Sequence, residues 1–69
     1  MKRWNAVHKT RLENPAIDAF LQEIIATCKK HGFIICHSDK YGTFEIREYT
    51  EKHVSHLQRA YDWIGDKNE

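Results

Sequence analysis

Apolar residues recur at helical spacing in the first half of the chain. Ile17, Phe20, Leu21, Ile24, Ile25 and Cys28 fall at i, i+3, i+4, i+7, i+8 and i+11, a single stripe of an α-helix. Asn14 stands before the stripe with a side chain suited to accept from the first free backbone N–H groups, and Pro15 occupies the first turn, where a missing N–H is no loss. Asp18 near the start and Lys29, Lys30 and His31 near the end match the helix dipole. Gly32 supplies a residue for the left-handed conformation that ends such a helix.

Residues 33 to 37 and 43 to 49 are rich in β-branched and aromatic side chains, and Ser38-Asp39-Lys40-Tyr41-Gly42 between them carries turn chemistry, which together predict a β-hairpin. In the second strand Phe44 and Ile46 share one face while Thr43, Glu45 and Arg47 share the other, so the alternation predicts that Phe44 and Ile46 turn toward the core. The first strand is apolar on both sides: Phe33, Ile35 and His37 form the face that would join them, leaving Ile34 and Cys36 outside. An antiparallel pair with one wet face does not normally read this way. Thr50 is a candidate cap for a second helix, whose stripe of Val54, Leu57, Tyr61 and Ile64 runs to Gly65 with Trp63 off it. Residues 66–69 form a polar tail. Trp4, Val7, His8 and Leu12 lie at helix-like spacing but have no cap or stop, so residues 1–13 read as an arm that orders on a partner. The expected fold class is α+β: a small α-β-β-α domain over residues 14–65, its antiparallel hairpin packed on two helices, preceded by a basic N-terminal arm.

A chain of 69 residues makes one domain, and at that length only about 60% of the unfolded surface is buried, so the core is marginal. At 41% hydrophobic and 30% charged residues the composition is that of a folded globular domain. The longest apolar runs, Ile24 to Ala26 and Phe33 to Cys36, fall far short of the roughly 20 residues of a membrane span, and no secretory h-region follows the charged start. Two cysteines, Cys28 and Cys36, do not make a disulfide framework. A reducing cytoplasm is the expected location, and no membrane association is expected. The formal net charge is +1, but it is uneven. Lys2, Arg3, Lys9 and Arg11 against Glu13 make residues 1–13 the basic part of the chain, so a nucleic-acid partner would be met there, with Trp4 to stack on a base.

Five histidines and two cysteines invite a metal reading. Cys28 and His31, and likewise His53 and His56, are three apart, yet neither pair follows the familiar zinc spacings, and Cys28 lies on the apolar stripe. His37-Ser38-Asp39 holds the letters of a hydrolase triad, but neighbours on an extended chain point to opposite faces. No phosphate loop or readable pair of carboxylates is present. The sequence therefore predicts a non-enzymatic protein with no catalytic residue, cofactor or resident metal. Three binding surfaces follow. Ile34, Cys36, Tyr49 and Trp63, left outside the expected core, would form a homodimer seam or a contact with a partner protein. His37, Asp39, Lys40 and Tyr41 would line a ligand pocket between subunits. Lys2, Arg3, Trp4, Lys9 and Arg11 would meet nucleic acid.

The run Asn14-Pro15-Ala16-Ile17-Asp18-Ala19-Phe20-Leu21, followed by Cys28-Lys29-Lys30-His31-Gly32, then His37-Ser38-Asp39 and Gly42-Thr43-Phe44, resembles a group of small uncharacterised bacteriophage and prophage proteins. The likeness covers residues 14 to about 46, and its most specific part is the His-x-Asp turn leading into Gly-x-Phe. Positions 34 and 36 are often small and polar in that group, so Ile34 and Cys36 depart from its pattern. The resemblance brings no assigned activity. What it implies is the usual work of phage accessory proteins in the host cytoplasm: binding and inhibiting a host protein, such as a defence component, or sequestering a small nucleotide-like ligand.

Overall fold

In the computed structural model, which describes residues 1–65, the Asn14 side chain accepts from the backbone N–H of Ile17 at 3.3 Å and opens helix α1, Pro15–His31. Gly32, at φ 78°, closes it by donating its N–H to the Cys28 carbonyl. Gly32 is the only residue between α1 and strand β3, Phe33–Ser38, which pairs antiparallel with β4, Thr43–Glu48. Gly42, at φ 64°, completes the turn and donates to the Ser38 carbonyl at 2.9 Å. Thr50 caps α2, Glu51–Gln58, by accepting from the His53 N–H. The α+β class and the order helix, hairpin, helix are therefore those expected. Tyr49 donates its backbone N–H to the Gly32 carbonyl, tying the entry of α2 to the end of α1.

The hairpin presents the opposite face to that expected. Ile34 is 0% exposed and packs with Cys28 and Val54, while Phe33, Ile35, Phe44 and Ile46 face solvent. The one-residue link through Gly32 leaves β3 little freedom to roll, and both helices pack on β3 while neither packs on β4. Glu45 and Arg47 stand opposite Cys36 and Ile34 on the inner face, where the helices do not reach, and bond to each other. Their charge is thus no obstacle to that orientation. On α1, Leu21 and Cys28 are buried, but Phe20 is 58% exposed.

The N-terminal residues are not an open arm. Strands β1, Lys2–Asn5, and β2, Thr10–Glu13, form a second antiparallel hairpin. Asn5 makes the turn: its Oδ1 accepts from the N–H groups of Val7 and His8 at 3.0 and 2.7 Å, and Lys9 adopts φ 56°. The second helix also ends early, at Gln58, because the chain leaves it to run beside β1. Asp62 donates its N–H to the Trp4 carbonyl and accepts from the Ala6 N–H, forming a parallel bridge with Asn5. Tyr61 and Ile64, expected on the helical stripe, are each 64% exposed on this extended segment. Gly65 does not stop a helix; a Cβ there would lie 2.6 Å from Cγ1 of Val7, so its role is close approach to the first turn. The polar tail expected at residues 66–69 lies outside the described residues.

Polar side chains bind these parts together. Arg3 is 2% exposed and donates from Nη1 to the Gln58 and Ala60 carbonyls, both at 2.9 Å, and from Nη2 to Asp18. A guanidinium on the last carbonyl of α2 and on that of Ala60 just past it meets an unpaired acceptor at the negative end of the helix dipole. Buried Asp62 accepts from Asn14 Nδ2 at 3.1 Å and from the Ile64 N–H at 2.8 Å. Asn14 therefore serves both the cap of α1 and the link to the C-terminal segment. These bonds, led by Arg3 for Asp18 and by Asn14 for Asp62, hold both carboxyls below their ordinary pKa.

Candidate functional site

Cross-strand pairing decides which side chains share the open face of the main hairpin. Phe33 stands opposite Glu48, Ile35 opposite Ile46 and His37 opposite Phe44. Phe33, Ile35, Phe44 and Ile46 are 56, 41, 76 and 65% exposed. Together they make on the order of 400 Å² of contiguous apolar surface, the size at which a patch on a small protein is commonly functional. His37 and Glu48 sit at diagonal corners of this patch. The His37 ring meets Phe44 edge-on, with centroids 5.8 Å apart, and its Nδ1 lies 3.4 Å from Asp39 Oδ1.

Behind β4, where neither helix covers the inner face, a groove of about 530 Å³ opens toward α2. Its sheet wall carries Cys36, Glu45 and Arg47 and, at the rim, Ile35, His37 and Phe44, and its other wall carries Lys52, His53, His56 and Leu57 of α2. Arg47 donates from Nε and Nη2 to the same Glu45 oxygen, at 3.0 and 2.8 Å, and this partner raises its pKa above the ordinary guanidinium value. The Thr50 hydroxyl lies 2.7 Å from His53 Nδ1. With that hydroxyl donating, the tautomer carries its proton on Nε2. The His53 and His56 rings are 6.3 Å apart at 80°. Among the described residues no group of three or more His, Cys, Asp or Glu side chains is arranged to hold a metal ion.

The residues singled out from the sequence are distributed differently. Ile34, expected at a partner surface, is the most buried side chain of the core. Cys36 is half-buried on the groove wall. Tyr49 is half-buried and packs against Cys28, Ile34 and Val54, and desolvation raises its phenol pKa. Of the four, Trp63 alone is open, at 71% exposure. His37, Asp39, Lys40 and Tyr41 do come together at the hairpin tip, with Lys40 Nζ 5.3 Å from the Tyr41 ring centre, and all four are exposed. Of the basic set, Lys2, Lys9 and Arg11 are exposed and Trp4 is half-buried. Arg3 is not available to a phosphate, because its guanidinium is committed inside the fold. The triad letters are split as alternation requires: Ser38 is buried and its Oγ accepts from the Tyr41 N–H, while His37 and Asp39 face solvent.

Phe33, Ile35, Phe44 and Ile46 were expected inside and Arg47 on the outer face of β4, and neither Arg47 nor Lys52 was expected to have a role in binding. The signal for the first group was present in β3, which is apolar on both faces, joined to α1 by one residue. No helix of the described residues is long and apolar enough to cross a membrane. No protein-family model matches the chain, and neither a curated protein nor a solved structure matches it.

Proposed function

We propose that this chain is a non-enzymatic binding protein that associates through the outer face of β3 and β4, and that the occupant of that face is a second copy of the chain. The observation that carries the reading is the row of four exposed apolar side chains on a sheet whose other face is already covered at β3. The patch supplies the larger part, though not the whole, of such an interface. Two such faces account for roughly 800 Å² of buried surface before any polar rim is counted, against about 1,200 Å² for the smaller stable interfaces. Charge supports the reading. A two-fold operation that exchanges the diagonal corners sets His37 of one copy against Glu48 of the other, and a net charge of +1 gives little self-repulsion. Pairing of β4 edges is disfavoured by the charged Glu45 and Arg47 on its inner side, a known guard against edge association. Face-to-face packing keeps those charges in water.

In the accessory-protein role that the resemblance to phage proteins implies, the target of this dimer is a host protein. Tyr61, Trp63 and Ile64, exposed and held on an extended segment by Asp62, are large apolar anchors of the kind that dominate such contacts. The first test is the mass of the full chain in solution by light scattering, for the wild type and for Ile46→Asp. The expectation is twice the 8.2 kDa chain mass for the wild type and a monomer for the variant, with the same circular dichroism spectrum. A wild type that stays monomeric as concentration rises, or a folded variant that still dimerises, overturns the proposal.

A further inference from the structure

The groove between β4 and α2 borders the association face, sharing Ile35, His37 and Phe44 with it, but its helix wall and the Glu45–Arg47 pair have no part in that association, and their chemistry is of another kind. We infer that it is a binding site for a small organic phosphate, a phosphate monoester with a sugar or aromatic body of nucleotide size. Its volume of about 530 Å³ lies within the roughly 300–1,000 Å³ usual for small-ligand sites. Among the described residues five basic side chains line it, His37, Arg47, Lys52, His53 and His56, against one acid, Glu45.

That acid is already matched. Both nitrogens that Arg47 commits go to a single Glu45 oxygen, so the pair is neutral and its Nη1 stays free to donate. The donors left over are then Lys52 and the imidazoles of His53 and His56, since His37 is taken up by Asp39 at 3.4 Å. Among the described residues, neither Lys52 Nζ nor the His56 ring has a hydrogen bond or an ion pair, while His53 has its Nδ1 engaged by Thr50 and its Nε2 left over. Donors spread over a strand and a helix suit the three terminal oxygens of a phosphate better than the two coplanar oxygens of a carboxylate. Leu57, Ala60 and Cys36 supply apolar surface for the rest of the molecule.

The test is a titration of the full chain with AMP at low salt, followed through backbone amide NMR shifts, with adenosine and inorganic phosphate as separate arms. Shifts concentrated at residues 45–47 and 52–57 are expected, and Lys52→Ala and His56→Ala, both at exposed positions, should each weaken AMP by about tenfold, the worth of a charge-assisted hydrogen bond. Adenosine should bind far more weakly than AMP, and inorganic phosphate should bind weakly at the same amides. Absence of shifts at those residues overturns the inference. So does AMP affinity unchanged in both variants while their spectra remain those of the folded chain, or adenosine binding as tightly as AMP. Ile46→Asp, which breaks the association, should leave AMP binding intact, so the two proposals stand or fall separately.

Discussion

Two isoleucines on the same hairpin should respond very unequally to the loss of one methylene. Ile34 is 0% exposed against Cys28 and Val54, whereas Ile46 is 65% exposed on the other face of the sheet. Ile34→Val removes a fully buried methylene, about 0.8 kcal/mol of transfer free energy, rising toward about 1.5 kcal/mol where neighbours do not close the gap. At Ile46 only about a third of the side chain is covered, so the same change is worth roughly 0.3 kcal/mol. In a domain of this size 1 kcal/mol moves Tm by about 4–8 °C, and the urea midpoint by up to about 1 M. The assay is urea unfolding followed by circular dichroism at a protein concentration where the chain is monomeric. Ile34→Val should lower the midpoint several times more than Ile46→Val. As concentration rises into the dimer range, the Ile46 effect should grow and the Ile34 effect should not. Equal losses at low concentration would refute the orientation of the hairpin, and with it the proposed association face.

Lys9 holds φ 56° without being glycine, so Lys9→Gly should raise stability by about 0.5–1 kcal/mol, seen as a higher urea midpoint; a fall would mean that the Asn5 turn does not form as described. Gly65→Ala should lower Tm, because its Cβ has no room beside Val7. Arg3→Gln should lower Tm more than Lys2→Gln or Arg11→Gln, since Arg3 alone of the three is buried on the Gln58 and Ala60 carbonyls and Asp18; equal effects would remove its stapling role. Asp18 and Asp62 have depressed pKa values in the folded chain, so the stability they confer is present above the unfolded carboxyl value and lost as pH falls through the folded one. The urea midpoint should therefore be flat from pH 7 to about 5 and fall below about pH 4, with a shallower fall in Asp62→Asn.

Both caps, both ends of α1 and the turn at Gly42 were legible because each rests on chemistry within a few residues: Asn14 on Ile17, Gly32 on Cys28, Thr50 on His53. The N-terminal hairpin was not, because Lys9 occupies its left-handed position where glycine would have marked the turn, and because its other fastenings are long-range, Arg3 to Ala60 and Asn5 to Ile64. The early end of α2 has the same origin. Tyr61 and Ile64 continue the helical spacing, but Asp62 is held by Trp4, Ala6 and Asn14, which are distant in sequence.

The reversed face of the hairpin has a different cause, and it bears directly on function. Alternation in β4 identified the two sides correctly, Phe44 and Ile46 on one and Glu45 and Arg47 on the other, but it assumed that the apolar side must be the inner one. That holds only where helices cover the whole strand pair. Here they cover β3 alone, so the inner side of β4 is wet and can carry charge, while its outer side is apolar with none of the described residues packed over it. A radius of gyration of 13.2 Å, against roughly 11 Å for a compact globule of this length, fits a slab whose sheet is incompletely wrapped. One uncovered strand thus yields two surfaces of opposite character. Its apolar side suits a second sheet, and its charged side, closed by α2, suits a small anion. Ile46→Asp alters the first and Lys52→Ala the second, so each surface can be removed without touching the other.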